Sequence, residues 1–83
     1  MLNNIFDYNN LKQSYITAIQ LALSCNMQHD EIRGGNNILH DFCNVLVETS
    51  EYSEADKKYM KSEFDRIKEQ MSVEIDCYYR KIQ

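Results

Sequence analysis

Residues 53 to 83 form a run of thirty-one without proline or glycine, with apolar side chains at Met60, Phe64, Ile67, Met71, Ile75, Tyr78 and Ile82. Steps of three and four place all of these on one stripe of a single long helix. At about 1.5 Å per residue such a helix approaches 40 Å, more than a small domain needs to cover its own core. The spacing therefore predicts that part of the stripe faces a partner.

The rest of the chain reads as two further helices packed on that one. Asp7 is a good N-cap, and Phe6 before it with Leu11 after it form the pairing of a hydrophobic staple. A first helix is expected from Tyr8, with Leu11, Tyr15, Ala18, Ala22 and Cys25 on one apolar line and Ile16, Ile19, Leu23 and Met27 on the next. Leu21 lies off both lines. Ser24, Cys25 and Asn26 could fray the helix, but Gly34 reads as the better stop, because glycine tolerates the positive φ that ends helices. The expected span is 8–30. Gly34 and Gly35 then make a turn, Asn36 or Asn37 caps a second helix over 37–49, and its dense apolar content predicts the most buried element. Val45, Leu46 and Val47 could alternatively be a strand, yet no second strand is available to pair with it. Ser53 caps the third helix, expected over 54–82, with Glu54 and Asp56 in its first turn. Along it Glu54 with Lys58, Lys61 with Asp65, and Asp76 with Arg80 are spaced for ion pairs. The expectation is an all-α fold: one domain over residues 1–83, an antiparallel three-helix bundle with a long C-terminal helix. The first and third helices would pack along their length, with the second covering one end.

Size and charge narrow the function. A chain of 83 residues buries only about 60 to 65% of its unfolded surface, so it is marginal alone and gains from a partner, a metal or a second copy. It carries 13 acids against 9 bases, a net charge of -4. Up to residue 52 the acids are Asp7, Asp30, Glu31, Asp41, Glu48 and Glu51 against Lys12 and Arg33, whereas the remainder is balanced. Such a chain offers no cationic surface to displace counterions from a phosphate backbone, which argues against nucleic acid. The acidic excess reads first as a means of solubility, and as a binding surface it suits a basic protein partner better than a phosphate backbone. The Lys57, Lys58 and Lys61 group is interspersed with acids and reads as a solvated face. A helix-turn-helix reader is the remaining nucleic-acid possibility, but one candidate recognition helix is mostly apolar and the other is neutral. The N-terminal segment lacks the charge and apolar core of a signal peptide, and no apolar run is long enough to span a membrane. Three cysteines, Cys25, Cys43 and Cys77, do not make a disulfide framework and point to a reducing, cytoplasmic location.

Chemistry has few candidates. Cys25 and His29 are one helical turn apart, His40 and Cys43 nearly so, and a turn at Gly34 and Gly35 could bring the four together as a tetrahedral zinc site. Against this, the order and spacing match no zinc module, and cysteine on an apolar line behaves as a small hydrophobe. His29 with Asp30 and His40 with Asp41 are adjacent on a helix, point about 100° apart and cannot form an oriented pair. A cysteine beside a histidine would need an oxyanion loop and a pocket, and neither is in evidence. The chain does not read as an enzyme, and no cofactor is called for.

Six tyrosines and no tryptophan suit an interface, since tyrosine buries area while keeping a polar tip. Ile75, Tyr78, Tyr79 and Ile82 lie beyond the reach of a 13-residue second helix and form the expected partner-binding surface. The functional expectation is a small acidic protein that binds another protein or a second copy of itself, acting as an adaptor, inhibitor or secretion-type chaperone. A zinc-stabilised module using Cys25, His29, His40 and Cys43 is the alternative, with a DNA-binding regulator behind it.

Overall fold

The computed structural model describes residues 7–81, which form α1 (Tyr8–Leu23), α2 (His29–Glu48) and α3 (Glu54–Lys81). Asp7 caps α1 as expected: its backbone is extended, and its carboxylate accepts from the amides of Asn9 at 3.0 Å and Asn10 at 3.2 Å. The proposed staple partner Phe6 lies outside the described residues, as does Ile82. Ser53 caps α3, its hydroxyl accepting from the amide of Asp56 at 3.2 Å. Arg80 and Lys81 close α3 with charge that suits a helix C-terminus.

The boundary between the first two helices differs from expectation. α1 stops at Leu23 rather than near residue 30, and α2 starts at His29 rather than at 37. Asn26 performs the role expected of Gly34, adopting a left-handed φ of 57°, a conformation that asparagine tolerates better than most residues. Gln28 returns the chain to extended geometry, and its amide donates to Glu31 Oε1 at 3.0 Å. With Asp30 and Glu31 in the first turn, the start of α2 is satisfied by both hydrogen bonding and dipole. Gly34 and Gly35 are consequently not a turn but two residues inside a 20-residue helix.

That shift also changes which helices pair. Instead of α1 lying along α3, α2 and α3 run antiparallel and make the most extensive contact, while the 16-residue α1 packs against both. The rungs between α2 and α3 descend in order. His29 Nε2 is 2.8 Å from Asp76 Oδ1, Asn36 Nδ2 donates to the Lys68 carbonyl at 3.1 Å, and His40 Nε2 is 2.5 Å from Asp65 Oδ1. Lys61 closes the series on Glu48 and holds that carboxyl below its ordinary range. Lys61, Asp65 and Asp76, expected to pair along α3, are thus spent across the helix interface. Among the described residues, exposed Arg66 with half-buried Glu63, at 2.9 Å, and Lys57 with Glu54, at 3.7 Å, pair within it.

The core is built mainly by α3, through Met60, Phe64, Ile67, Met71, Ile75 and Tyr79. Tyr15 and Ile19 enter from α1, and Ile32, Cys43 and Val47 from α2. Phe64 stands at its centre, with the Tyr15 ring stacked on it at 6.3 Å and the Tyr8 ring edge-on at 5.7 Å. One polar group crosses the core: Asn36 accepts from the Tyr15 hydroxyl at 2.5 Å while donating to α3, tying all three helices together. At this depth each of those groups must be paired to avoid a desolvation penalty. Among the described residues no helix is long and apolar enough to cross a membrane.

Candidate protein-docking surface

The expected interface at the end of α3 is occupied by the chain itself. Ile75 is fully buried, and Tyr79 is only 9% exposed. The Tyr79 hydroxyl donates to the Met27 carbonyl at 2.5 Å, and its ring stacks on His29 at 4.6 Å. Burial, with Tyr78 and Glu31 nearby, raises its pKa. Tyr78 is half-buried and packs edge-on against Tyr79 at 5.2 Å. The reason is the earlier start of α2: a helix that begins at His29, preceded by the loop through Met27, reaches the end of α3 that a helix beginning at residue 37 could not. The stripe on α3 therefore continues through Tyr79 rather than Tyr78 and serves the core. Ile82 falls outside the described residues.

The four candidate metal ligands do not converge. With the glycines inside α2, His29 and His40 lie eleven residues apart on one helix, about 16 Å along its axis. His29 is engaged by Asp76 and Tyr79, and His40 by Asp65. Cys25 is exposed in the loop after α1, and Cys43 is buried in the core. Among the described residues no three or more histidine, cysteine, aspartate or glutamate side chains gather where they could hold a metal ion.

Cys43 is a core group with a measurable signature. Burial pushes its thiol up to about 11 from an ordinary 9.0, and burial with Glu63 nearby pushes the Tyr8 hydroxyl up to about 12. Tyr15 is raised by burial in the same direction. In each case the unfolded chain ionises first, so the stabilisation is complete below pH 9 and is lost as pH rises through the folded values. For Cys43, 1% exposed, the loss amounts to about 2 kcal/mol between pH 9 and 11 at roughly 1.4 kcal/mol per unit. Urea unfolding at intervals across that range should show a steady fall in stability. A Cys43→Ala variant, though less stable at pH 8, should show a shallower fall. An equal slope in both proteins would assign the alkaline loss to the tyrosines.

What the structure leaves uncovered is the outward side of α2. Ile38, Phe42 and Val45 are 70%, 55% and 57% exposed. With Gly35 they recur at steps of three, four and three, the spacing of a coiled-coil seam. Half-buried Leu39 and Leu46 widen the apolar strip on one side, while exposed Asp30 and Asp41 border it on the other. The Asp41 side chain is 80% exposed, one oxygen 3.5 Å from His40 Nδ1. Over its whole length α2 holds Asp30, Glu31, Asp41 and Glu48 against Arg33. The helix is therefore amphipathic twice over. Ile32, Asn36, His40, Cys43 and Val47 face the core, and a second row lies on roughly the opposite side.

High apolar content predicts burial for α2, an expectation that overlooks this row. The signal was available: two apolar rows on nearly opposite sides of one helix cannot both meet the same core. Compared with protein-family models, curated proteins and solved structures, the chain matches none of them.

Proposed function

We propose that the protein acts by binding another protein through the outward side of α2, as a small acidic module of the adaptor, inhibitor or chaperone kind. The observation that carries this reading is the exposed row of Ile38, Phe42 and Val45 on a helix whose opposite side already serves the core. Single exposed apolar residues are ordinary, whereas an ordered row of three large ones at helical spacing is a contact surface looking for cover. A partner helix laid along it would take its anchors at i, i+4 and i+7, as grooves and seams do for helical ligands.

Magnitudes describe the kind of complex. Fully burying such side chains is worth about 1.5–3 kcal/mol each, and these are already partly covered, so the row supplies roughly 3–4 kcal/mol. Association costs at least about 4 kcal/mol in lost freedom. The apolar row alone would give no lasting complex, and the bordering charges have to contribute. The complex is then sensitive to salt and reversible, in keeping with a regulatory or carrier role.

Site-specific crosslinking in the protein's native cells tests the reading. A photoreactive benzoyl-phenylalanine in place of Phe42 should give a defined adduct that disappears when Ile38→Glu is added. The same probe in place of Gln70, exposed on α3, should give none. No adduct at position 42, or the same adducts at both positions, would overturn it. Because Ile38 is largely exposed, the Ile38→Glu change should leave helicity and thermal midpoint within the small range typical of surface substitutions.

A further inference from the structure

We infer that the element received by α2 is a basic amphipathic helix from another protein, and not a second copy of this chain. The inference rests on the docking surface proposed above and names its partner. The apolar row of the incoming helix would lie on Gly35, Ile38, Phe42 and Val45. Its lysines or arginines would lie along the edge that carries Asp30 and Asp41, with Glu31 at the N-terminal end of the row.

Charge decides against the second copy. In a two-fold antiparallel pairing the natural register sets Ile38 opposite Phe42 of the other copy and Gly35 opposite its Val45, so the axis passes beside residue 40. Asp41 then meets Asp41, two largely exposed carboxylates face to face with no base between them. Asp30 on the same edge approaches Glu48, whose charge is already met by Lys61, so the repulsion is concentrated at the Asp41 pair. A parallel pairing avoids that clash but sets Asp41 beside Leu46 of the other copy, where its carboxylate loses water and gains no partner. A lysine or arginine on the incoming helix satisfies Asp30 and Asp41 in either direction.

Space also favours a close-lying helix. Outside α2 itself, no heavy atom of the described residues lies within 4 Å of where a Cβ would stand at Gly34 or Gly35. That part of α2 is smooth, and a second backbone can approach it closely.

Two fluorescent peptides of about three heptads, alike in a leucine seam but flanked by lysine in one and glutamate in the other, provide the test. Fluorescence anisotropy with the full chain should show binding of the lysine peptide at least tenfold tighter than the glutamate peptide, weakening between about 50 and about 300 mM salt. The Asp30→Lys, Asp41→Lys double variant should reverse that preference, and Phe42→Glu should abolish binding of either peptide with unchanged circular dichroism. Sedimentation equilibrium of the free protein should give a monomer. Several results would overturn the inference. Binding of the lysine peptide that survives Phe42→Glu would be charge attraction without docking. Equal binding of both peptides, lost with Phe42→Glu, would leave the surface as a docking site and remove the basic partner. A wild-type dimer that dissociates in Phe42→Glu would make the occupant a second copy, again without removing the surface. Binding of neither peptide, with a monomer throughout, would remove the helix as ligand, and the crosslinking above would then decide whether α2 docks anything.

Discussion

Replacing Phe64 with alanine is expected to remove most of the stability of this protein. Phe64 is fully buried and joins α1 to the long helix: the Tyr15 ring stacks on it and the Tyr8 ring meets it edge-on. Truncating a buried phenylalanine costs about 3–5 kcal/mol, the transfer of its ring plus the cavity left behind. Aromatic pairing adds about 0.5–1.5 kcal/mol for each partner lost. A chain of 83 residues has a total stability of roughly 4–12 kcal/mol, with small domains toward the lower end. The expected outcome is a protein that is largely unfolded at 37 °C, or one whose urea midpoint falls by half or more. Thermal and urea unfolding followed by circular dichroism would measure it. A loss below about 1 kcal/mol would mean that the two tyrosines collapse into the vacated space, and that α1 is anchored elsewhere.

That Phe64 belongs to the core was legible in the sequence, since it is a member of the periodic row that made α3 the organising helix; that two tyrosines of α1 pack on it was not. Both caps that border the helices most sharply, Asp7 and Ser53, were legible too, because a short polar side chain before an apolar periodic run has a local reason to cap. The first loop was not, and the cause is a competition between two stop signals. Gly34 is the stronger signal in isolation, but glycine only permits a positive φ and does not require one. Asn26 took the left-handed conformation instead, and Gln28 with Glu31 then gave α2 a start that Asn36 could not better. Once that start moved, Asn36 became a core residue, Tyr79 was covered, and the candidate metal ligands were strung along one helix. The misplaced interface and the proposed zinc cluster share this single origin.

The ion pairs show the same limit of local reading. Spacing along α3 identified Lys61, Asp65 and Asp76 as charged residues with helical neighbours, which is all that an i,i+4 rule can see. Their actual partners, Glu48, His40 and His29, lie at sequence separations of 13, 25 and 47. Such partners depend on which helix is adjacent and in what register. The exposed row on α2 was hidden for a related reason: apolar content measures a tendency to be covered and leaves open what does the covering.

Changing Gly34 and Gly35 together to alanine is expected to raise stability by about 2 kcal/mol, since each glycine in a helix interior costs roughly 0.8–1.0 kcal/mol relative to alanine. Neither glycine has a positive φ, so alanine adopts the same backbone without strain. The added methyl groups meet no heavy atom of the described residues outside α2 itself. Part of the gain comes from the unfolded chain, which loses freedom when glycine is replaced. For a domain of this size the thermal midpoint should rise by about 8–16 °C, which a melting curve resolves easily. No rise, or a fall, would mean that α2 is not continuous through these positions and that the two glycines form the turn their type suggests. The same variant bears on function with the opposite sign. If a helix lies close against Gly35, the added methyl stands in its path, and the lysine-flanked peptide should bind more weakly to the more stable protein. A gain in stability coupled to a loss in binding is not produced by general damage to the fold. It would place the docked helix against α2 at the glycines, and it would explain why so small a domain tolerates the two most destabilising residues of its second helix side by side.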